Sequence, residues 1–363
     1  MRVKELKLYQ FKNHRNASWS FGDKINAFAG LNGVGKTNIL DALYYLSATK
    51  SYFNHSDQQL LLFGTNEASV YAKLEKDQEY EILAGFGETR KKTFKRNGKA
   101  YARLVDHIGF LQAVFITPYD ISLVFEGSEE RRKFIDYSIS QLNKDYLHDL
   151  IAYRKILDQR NAFLKSLEGR LLDTLLLESY DRSLVPIGTR IYEIRKKFID
   201  EFLPIFQEIH LALAQTEISV SLSYESPLTS ETFSAVLQAN SYKDVQAQRT
   251  SQGIHKDDLV FEIKNMPLKK FGSQGQIKTF VVALKLAQYQ YLHRKSGDLP
   301  LLLLDDIFEK IDASRSQRLM ELVCSDAYGQ IFISDTHGER IRAHFAPFDV
   351  SFRLFELEPE DSV

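Results

Sequence analysis

Polar and apolar positions alternate from Val3 to Leu8, an apolar run occupies Ile25 to Ala29, and strand-like patterning returns at Ser69 to Leu74 and Tyr80 to Phe86. The first hundred residues therefore predict short strands separated by turns. One helix interrupts them over Lys36 to Ser47, where Ile39, Leu40, Leu43, Tyr44 and Leu46 fall at helical spacing directly after a glycine-rich turn. Asn97-Gly98 inside KTFKRNGKAYAR predicts a hairpin, because both residues tolerate the positive φ that a tight two-residue turn demands.

From about Ser128 the texture changes to long amphipathic helices with few glycines. Ile187, Ile191, Ile194 and Phe198 recur every three or four residues, which leaves Arg195, Lys196 and Lys197 expected mainly off the apolar face. The helical block runs to about Leu213. Strand patterning resumes at Glu217 to Tyr224 and Leu259 to Ile263, followed by a helix from about Gln276, the run Leu301 to Leu304 and a strand Gln330 to Ser334. An α/β, helical, α/β order implies one head assembled from both ends of the chain, residues 1–115 and 245–363, with a mainly helical lobe inserted over 116–244.

Composition narrows this picture only slightly. The chain has 363 residues, of which 44% are hydrophobic, enough for one large or two medium cores. Lys+Arg 47 against Asp+Glu 48 gives a net charge of -1, so any nucleic-acid contact must come from local patches. The single cysteine, Cys324, excludes an internal disulfide framework. No run approaches the roughly 20 apolar residues of a membrane helix, and the start lacks a secretory apolar core; a cytoplasmic protein with no membrane contact is expected.

Three motifs carry chemistry. Gly30-Leu31-Asn32-Gly33-Val34-Gly35-Lys36-Thr37 fits G-x-x-x-x-G-K-[ST] between an apolar strand and a good helix. Such a loop turns backbone N–H groups toward phosphate oxygens, Lys36 bridges terminal phosphates, and the Thr37 hydroxyl ligates Mg²⁺. Asn38 continues the nucleotide-binding helix start. Second, Leu301 to Leu304 reads as a buried strand that delivers Asp305 and Asp306 at its C-terminal end, where α/β sheets place their ligands. Asp305 is expected in the Mg²⁺ shell and Asp306 as the base that polarises the attacking water. Third, Gly272-Ser273-Gln274-Gly275-Gln276 opens a helix whose apolar face is Ile277, Phe280, Val281 and Leu284; Ser273, Gly275 and Gln276 can form a second phosphate-binding surface at that helix start.

This arrangement resembles the ABC/SMC-type ATPase heads, an α/β P-loop fold (lobe I) with an inserted mainly helical lobe II, and within them the RecF family over nearly the whole chain. The likeness lies in Phe11-Lys12-Asn13, in Phe115-Ile116-Thr117-Pro118 leading through Gly127 to Arg131-Arg132-Lys133-Phe134-Ile135-Asp136, and in Gln159-Arg160-Asn161-Ala162. Gly253-Ile254-His255-Lys256-Asp257-Asp258 and Glu309-Lys310-Ile311-Asp312 extend it. Ile254 and Lys256 depart from the Pro and Arg usual in the family, and Asp306 stands where SMC proteins have Glu, which favours slow hydrolysis. The resemblance implies an ATP-dependent homodimer of DNA repair that grips single-stranded and duplex DNA at junctions and gaps, with a weak DNA-stimulated ATPase as its switch and RecR and RecO as partners. Ser273 of one copy would complete the ATP site of the other, Glu309 to Asp312 would cross the interface, Lys12 would approach the nucleotide, and His337 would sense the γ-phosphate.

Candidate DNA contacts are the hairpin cluster Lys91, Lys92, Lys95, Arg96, Lys99 and Arg103, and the helical-lobe cluster Arg131, Arg132, Lys133, Arg195, Lys196 and Lys197, since clustered cations suit phosphate contacts. The competing readings are an ABC-type ATPase subunit of a transporter, an SMC-like chromosome tether and a metabolic P-loop kinase. The long basic insert argues against the first, the absence of a heptad arm against the second, and the Ser273 helix start against the third.

Overall fold

The computed structural model describes residues 1–358 except 90, 168–172, 215–217 and 311–312, and the backbone alone at 309, 310 and 313. In chain order come β1 (Arg2–Phe11), β2 (His14–Ser20), β3 (Ile25–Ala29), α1 (Lys36–Ala48), β4 (Glu67–Glu75), β5 (Glu79–Gly87), β6 (Thr93–Arg96), β7 (Lys99–Ala100) and β8 (Ala113–Ile116). Next are α2 (Ser122–Phe125), α3 (Ser128–Ser140), α4 (Lys144–Ser166), α5 (Thr174–Ala214), β9 (Val220–Glu225), α6 (Phe233–Ala247), β10 (Asp258–Ile263), β11 (Met266–Pro267) and α7 (Leu268–Phe271). The chain closes with α8 (Gln274–Ser296), β12 (Leu301–Asp305), α9 (Ala313–Cys324), β13 (Ile331–Asp335), α10 (Gly338–Phe345) and β14 (Phe352–Glu356).

The chain divides into two compact units. The first comprises Met1–Ile121, Glu208–Glu217 and Gln274–Val363. It contains a five-stranded parallel sheet in the order β14-β3-β13-β12-β8 and a six-stranded antiparallel sheet in the order β2-β1-β4-β5-β6-β7. The β3, β12 and β13 side chains are all buried, as parallel strands covered on both faces must be. Helix α1 packs on β13, β12 and β8 and also touches β4 of the other sheet. That double cover explains why Ile39, Leu40, Leu43, Tyr45 and Leu46 are wholly buried although they surround the helix. The hairpin at Asn97 and Gly98 forms as expected, with φ of 48° and 75°.

The second unit comprises Ser122–Gln207 and Ile218–Ser273. Its division from the first differs from the boundaries read from sequence. Residues 245–273 were expected in the head, yet β10 pairs antiparallel with β9 from Asp258↔Glu225 to Ile263↔Val220, which binds that stretch to the helical unit. Residues 208–214, at the end of α5, belong instead with the head. Strand pairing between distant segments leaves no composition shift along the chain, so no boundary signal marked either change.

Two of the family-like stretches clasp each other inside this unit, and a third is bonded to its neighbours there. Arg131 forms a two-pronged pair with Asp258 at 2.6 and 2.9 Å, and Arg132 donates to the Asp257 carbonyl at 2.7 Å. Arg195, 2% exposed, links Asp136, Asp257 (2.8 Å) and the Ile254 carbonyl (2.7 Å). The third, around Arg160, binds Asp181 and Asp244, each at 2.7 Å, while Asn161 accepts from the Thr250 amide at 2.7 Å. Buried guanidinium groups with charged partners on several sides are held at a unique geometry, because removing any one partner strands a charge away from water.

Candidate functional site

Strand β3 ends at Ala29, and the glycine loop turns from it into α1. Gly35, at φ 102°, lies in the left-handed region; a Cβ there would also sit 2.6 Å from Asn13 and His14 side-chain atoms. Those two residues, at the β1–β2 turn, brace the loop. Asn13 donates to the Gly33 carbonyl at 3.4 Å and accepts from the Asn38 amide at 2.7 Å, and Nε2 of buried His14 donates to the Gly35 carbonyl at 3.2 Å. Sequence reasoning reached Asn13 only as part of a family-like string and did not single out His14. Trp19, the one tryptophan in the chain, packs edge-on against the His14 ring with centroids 5.4 Å apart.

Lys36 is almost fully buried, and its ammonium donates to the carbonyls of Gly30 and Leu31 at 2.7 and 3.0 Å. Phosphate oxygens are stronger acceptors than these neutral carbonyls and can take over the same donors. Lys12 is placed elsewhere: its ammonium pairs at 2.6 Å with buried Asp41, one turn beyond Thr37 in α1, and Asp41 also accepts from Ser51 and the Tyr52 amide at 2.7 Å each. In this arrangement an opposite charge on α1 holds the Lys12 ammonium.

The sheet brings the two ends of the chain together. Asp335 is in register with Ala29 and Asp305 with Ser334, so β13 lies between the loop strand and the carboxylate strand. Thr37, in the first turn of α1, donates to Asp305 Oδ1 at 2.8 Å, and Ser334 donates to the same oxygen at 2.6 Å. The Ser334 oxygen in turn accepts from the Asp306 amide at 3.1 Å. Burial pushes the Asp305 carboxyl above its usual range, while the Ser334 and Thr37 hydroxyls and the Lys36 charge pull it back. Asp306 takes φ 43°, a left-handed backbone that turns the chain out of the strand immediately after Asp305. Ser334 escaped sequence reasoning, since a serine inside an apolar strand carries no local signal of its own.

A hydroxyl beside a carboxylate, in the first turn of a P-loop helix, is an oxygen donor set that suits Mg²⁺, which is usually held by one or two protein oxygens together with phosphate and water. Among the described residues there is no cluster of three or more His, Cys, Asp or Glu side chains able to hold a metal by themselves.

Farther along the same sheet edge, buried Asp335 accepts from the His337 amide at 2.8 Å and from Arg340 at 2.6 and 3.0 Å. This fixes exposed His337 at the start of α10. Ser273 is exposed immediately before α8, Gly275 and Gln276 lie in the helix's first turn, and Ile277, Phe280, Val281 and Leu284 are buried as their spacing predicts. Of the stretch Glu309 to Asp312, residues 311 and 312 lie outside the described residues, and the backbone of 309 and 310 ends a 3-10 turn over Ile307–Lys310.

The candidate DNA cations separate into two groups. Arg131, Arg132 and Arg195 are corrected: their guanidinium groups are engaged inside the helical unit, and the helical period itself explains Arg195, which lies four residues after Ile191 and three before Phe198 on the buried stripe. Lys133 is held by Glu130 at 2.7 Å. Lys92 is corrected too, because it pairs with Asp57 at 2.8 Å, donates to the Thr49 carbonyl at 2.7 Å and lies over the Tyr45 ring. Lys196 and Lys197 are exposed on α5, and Lys91, Arg96, Lys99 and Arg103 are exposed near the β6–β7 hairpin, with Lys95 half-buried beside them. Arg96 stacks on Phe110 with its guanidinium 4.7 Å from the ring centre.

Taken with the parallel sheet and its glycine loop, these features define a P-loop ATPase head, and the RecF/RecN/SMC N terminal domain family model matches residues 2–352. The chain belongs to that family, and within it to the RecF proteins. It is 47% identical over 359 residues to the DNA replication and repair protein RecF of Flavobacterium johnsoniae, covering 98% of this chain and 100% of that one. RecF of Cytophaga hutchinsonii is 41% identical over 360 residues, covering 99% and 95%. A solved structure described as the recombination mediator protein RecF-ATP in the RecFOR pathway superposes with a TM-score of 0.88 at 26% identity, covering 98% of this chain and 95% of that chain. The Smc head domain of Pyrococcus furiosus, at a TM-score of 0.56 and 16% identity, covering 99% and 94%, shares the fold.

Proposed function

We propose that this chain is an ATP-gated DNA-binding protein of recombinational repair and replication restart. Two heads close over two ATP molecules at single-strand/double-strand junctions and gaps, and slow, DNA-stimulated hydrolysis reopens them. The observation that carries this reading is the bond between Thr37 and Asp305, which joins the start of the P-loop helix to the carboxylate strand in a chain of the RecF family.

The residues would act as follows. Backbone amides of Gly30 to Lys36 and the start of α1, continued by Asn38, cradle the phosphates, and Lys36 exchanges the Gly30 and Leu31 carbonyls for terminal phosphate oxygens. Thr37 and Asp305 hold Mg²⁺, which when bound neutralises charge developing on the phosphates. Ser334 orients Asp305 through its hydroxyl. Asp306 accepts a proton from the attacking water, and its side chain, one methylene shorter than glutamate, makes that step slow. Ser273, Gly275 and Gln276 of a second copy close the site from the far side of the γ-phosphate, with His337 at the sheet edge that faces it. Lys196 and Lys197, together with Lys91, Lys95, Arg96 and Lys99, supply phosphate contacts to DNA.

The RecFOR pathway of the solved RecF relative supports RecR and RecO as partners. Among the described residues no helix is long and apolar enough to cross a membrane, in keeping with a cytoplasmic site of action. Light scattering with and without ATP and a gapped duplex tests the reading: a dimer that needs ATP and turnover that rises with DNA are expected. A monomer in saturating ATP, with turnover indifferent to DNA, would sink it and favour an ATPase subunit of another system.

A further inference from the structure

The three strand ends that carry the proposed site share one helix. α10 begins at Gly338, where a Cβ would sit 3.3 Å from the Cβ of Ala29, so the helix starts against the residue that precedes the glycine loop. Arg340 pairs with Asp335 at the end of β13 at 2.6 Å. One turn later, His344 lies face to face with Phe308, the ring centres 4.5 Å apart and the planes 19° apart. Phe308 belongs to the 3-10 turn Ile307–Lys310, which leaves β12 directly after Asp306.

The stacked pair meets a mechanical need. Asp306 adopts the left-handed backbone, which is costly for any residue with a side chain and persists only where its surroundings hold it. On one side the Asp306 amide donates to Ser334 Oγ at 3.1 Å. On the other, two residues along, buried Phe308 is covered by the His344 ring. Burial lowers the His344 pKa below the usual imidazole value, with Asp335 opposing that shift and Arg340 adding to it, so at neutral pH a flat uncharged ring faces the phenyl group. Aromatic pairs at this spacing attract each other. We propose that His344 is a positioning residue of the hydrolytic step, whose ring clamps Phe308 and thereby fixes the direction in which the Asp306 carboxylate points. The inference rests on Asp306 as the base and adds to it a residue outside the three motifs.

The test compares wild type, His344→Ala, His344→Phe, Phe308→Ala, the double variant Phe308→Ala/His344→Ala and Asp306→Asn, each checked by thermal melting. With Mg²⁺-ATP and gapped duplex, His344→Ala is expected to lose kcat on the order of tenfold or more, because small misplacements caused away from the chemistry are costly, while ATP affinity stays unchanged. His344→Phe, which keeps a flat ring, retains most of the turnover. Phe308→Ala shows a similar loss, and the double variant is no worse than Phe308→Ala, because both substitutions remove the same contact. Full turnover in His344→Ala, a loss that His344→Phe does not rescue, additive losses in the double variant, or an ATP affinity that falls with Tm overturns the proposal and leaves Asp306 as the base. Full turnover in Asp306→Asn overturns the base assignment, and the proposal with it.

Discussion

The Thr37 hydroxyl donates to a carboxylate oxygen of Asp305 over 2.8 Å, across 268 positions of sequence. Ser334 bonds the same oxygen from the strand between them. The two halves of the proposed nucleotide site, one near each end of the chain, are therefore brought together by the sheet, and each part makes a separable expectation.

Lys36→Ala removes the cation proposed to bridge terminal phosphates, and tight ATP binding should be lost. Trp19 offers a direct readout, because its ring packs on His14, which holds the Gly35 carbonyl. ATP should change tryptophan emission in the wild type and leave it unchanged in Lys36→Ala; equal titration curves for the two proteins would contradict the assignment of the loop.

Asp306→Asn should retain ATP binding, stop turnover and accumulate the dimer. The substitution is gentle on the backbone, since asparagine tolerates the left-handed φ of 43° that Asp306 adopts. Asp306→Ala would add a backbone cost of about 1 kcal/mol to the lost base. Sedimentation in saturating ATP decides: a monomeric Asp306→Asn protein with intact binding refutes the role of Asp306.

Ser334→Ala deletes the hydroxyl that orients Asp305 and accepts from the Asp306 amide. Loss of an outer partner of this kind commonly costs about 10- to 100-fold in metal affinity or activity. Mg²⁺ titration of turnover should move to higher concentration with ATP affinity nearly constant; an unchanged Mg²⁺ midpoint would show Ser334 to be a bystander.

Lys196→Glu/Lys197→Glu should weaken DNA binding uniformly across sequences and flatten the salt dependence of affinity, as loss of phosphate contacts does. Arg195→Ala should behave differently. It leaves Asp136 and Asp257 without their shared cation and is expected to destabilise the helical unit by about 3–5 kcal/mol. Denaturant melting and DNA titration of the two variants would separate a surface role from a buried one.

Acid should weaken the fold. Burial holds the pKa of both His210 and His255 at about 4, against roughly 6.5 in an unfolded chain, so the unfolded state takes up protons that the folded state refuses. Stability is complete above about pH 6.5 and falls as pH drops toward 4, on the order of 1–2 kcal/mol for each histidine. Urea midpoints at pH 7.5, 6 and 5 should fall in that order, and a flat profile would mean that both rings are wetter than the structure places them.

The sequence disclosed what is local and missed what is assembled. The glycine loop, the strand ending in Asp305 and Asp306, the helix after Ser273 and the hairpin at Asn97-Gly98 each draw on residues a few positions apart, and each forms where its pattern predicts. Ser334 acquires its role only because β13 lies beside β12, and residues 245–273 join the helical unit only because β10 pairs with β9. Arg195 misled because it was grouped with Lys196 and Lys197 off the apolar face, although its spacing of four from Ile191 and three from Phe198 puts it on the buried stripe.

The strand order β14-β3-β13 constrains how this molecule can be made. Both neighbours of β3 lie in the closing stretch of the chain, so after Ala29 emerges from the ribosome about 300 residues must follow before either arrives. At about 5–20 residues per second that is a wait of roughly 15–60 seconds, during which an apolar segment has unpaired edges on both sides. The nascent chain cannot acquire a working pocket early, and a transcript broken near its end should yield a sticky, inert product and not a partly active one.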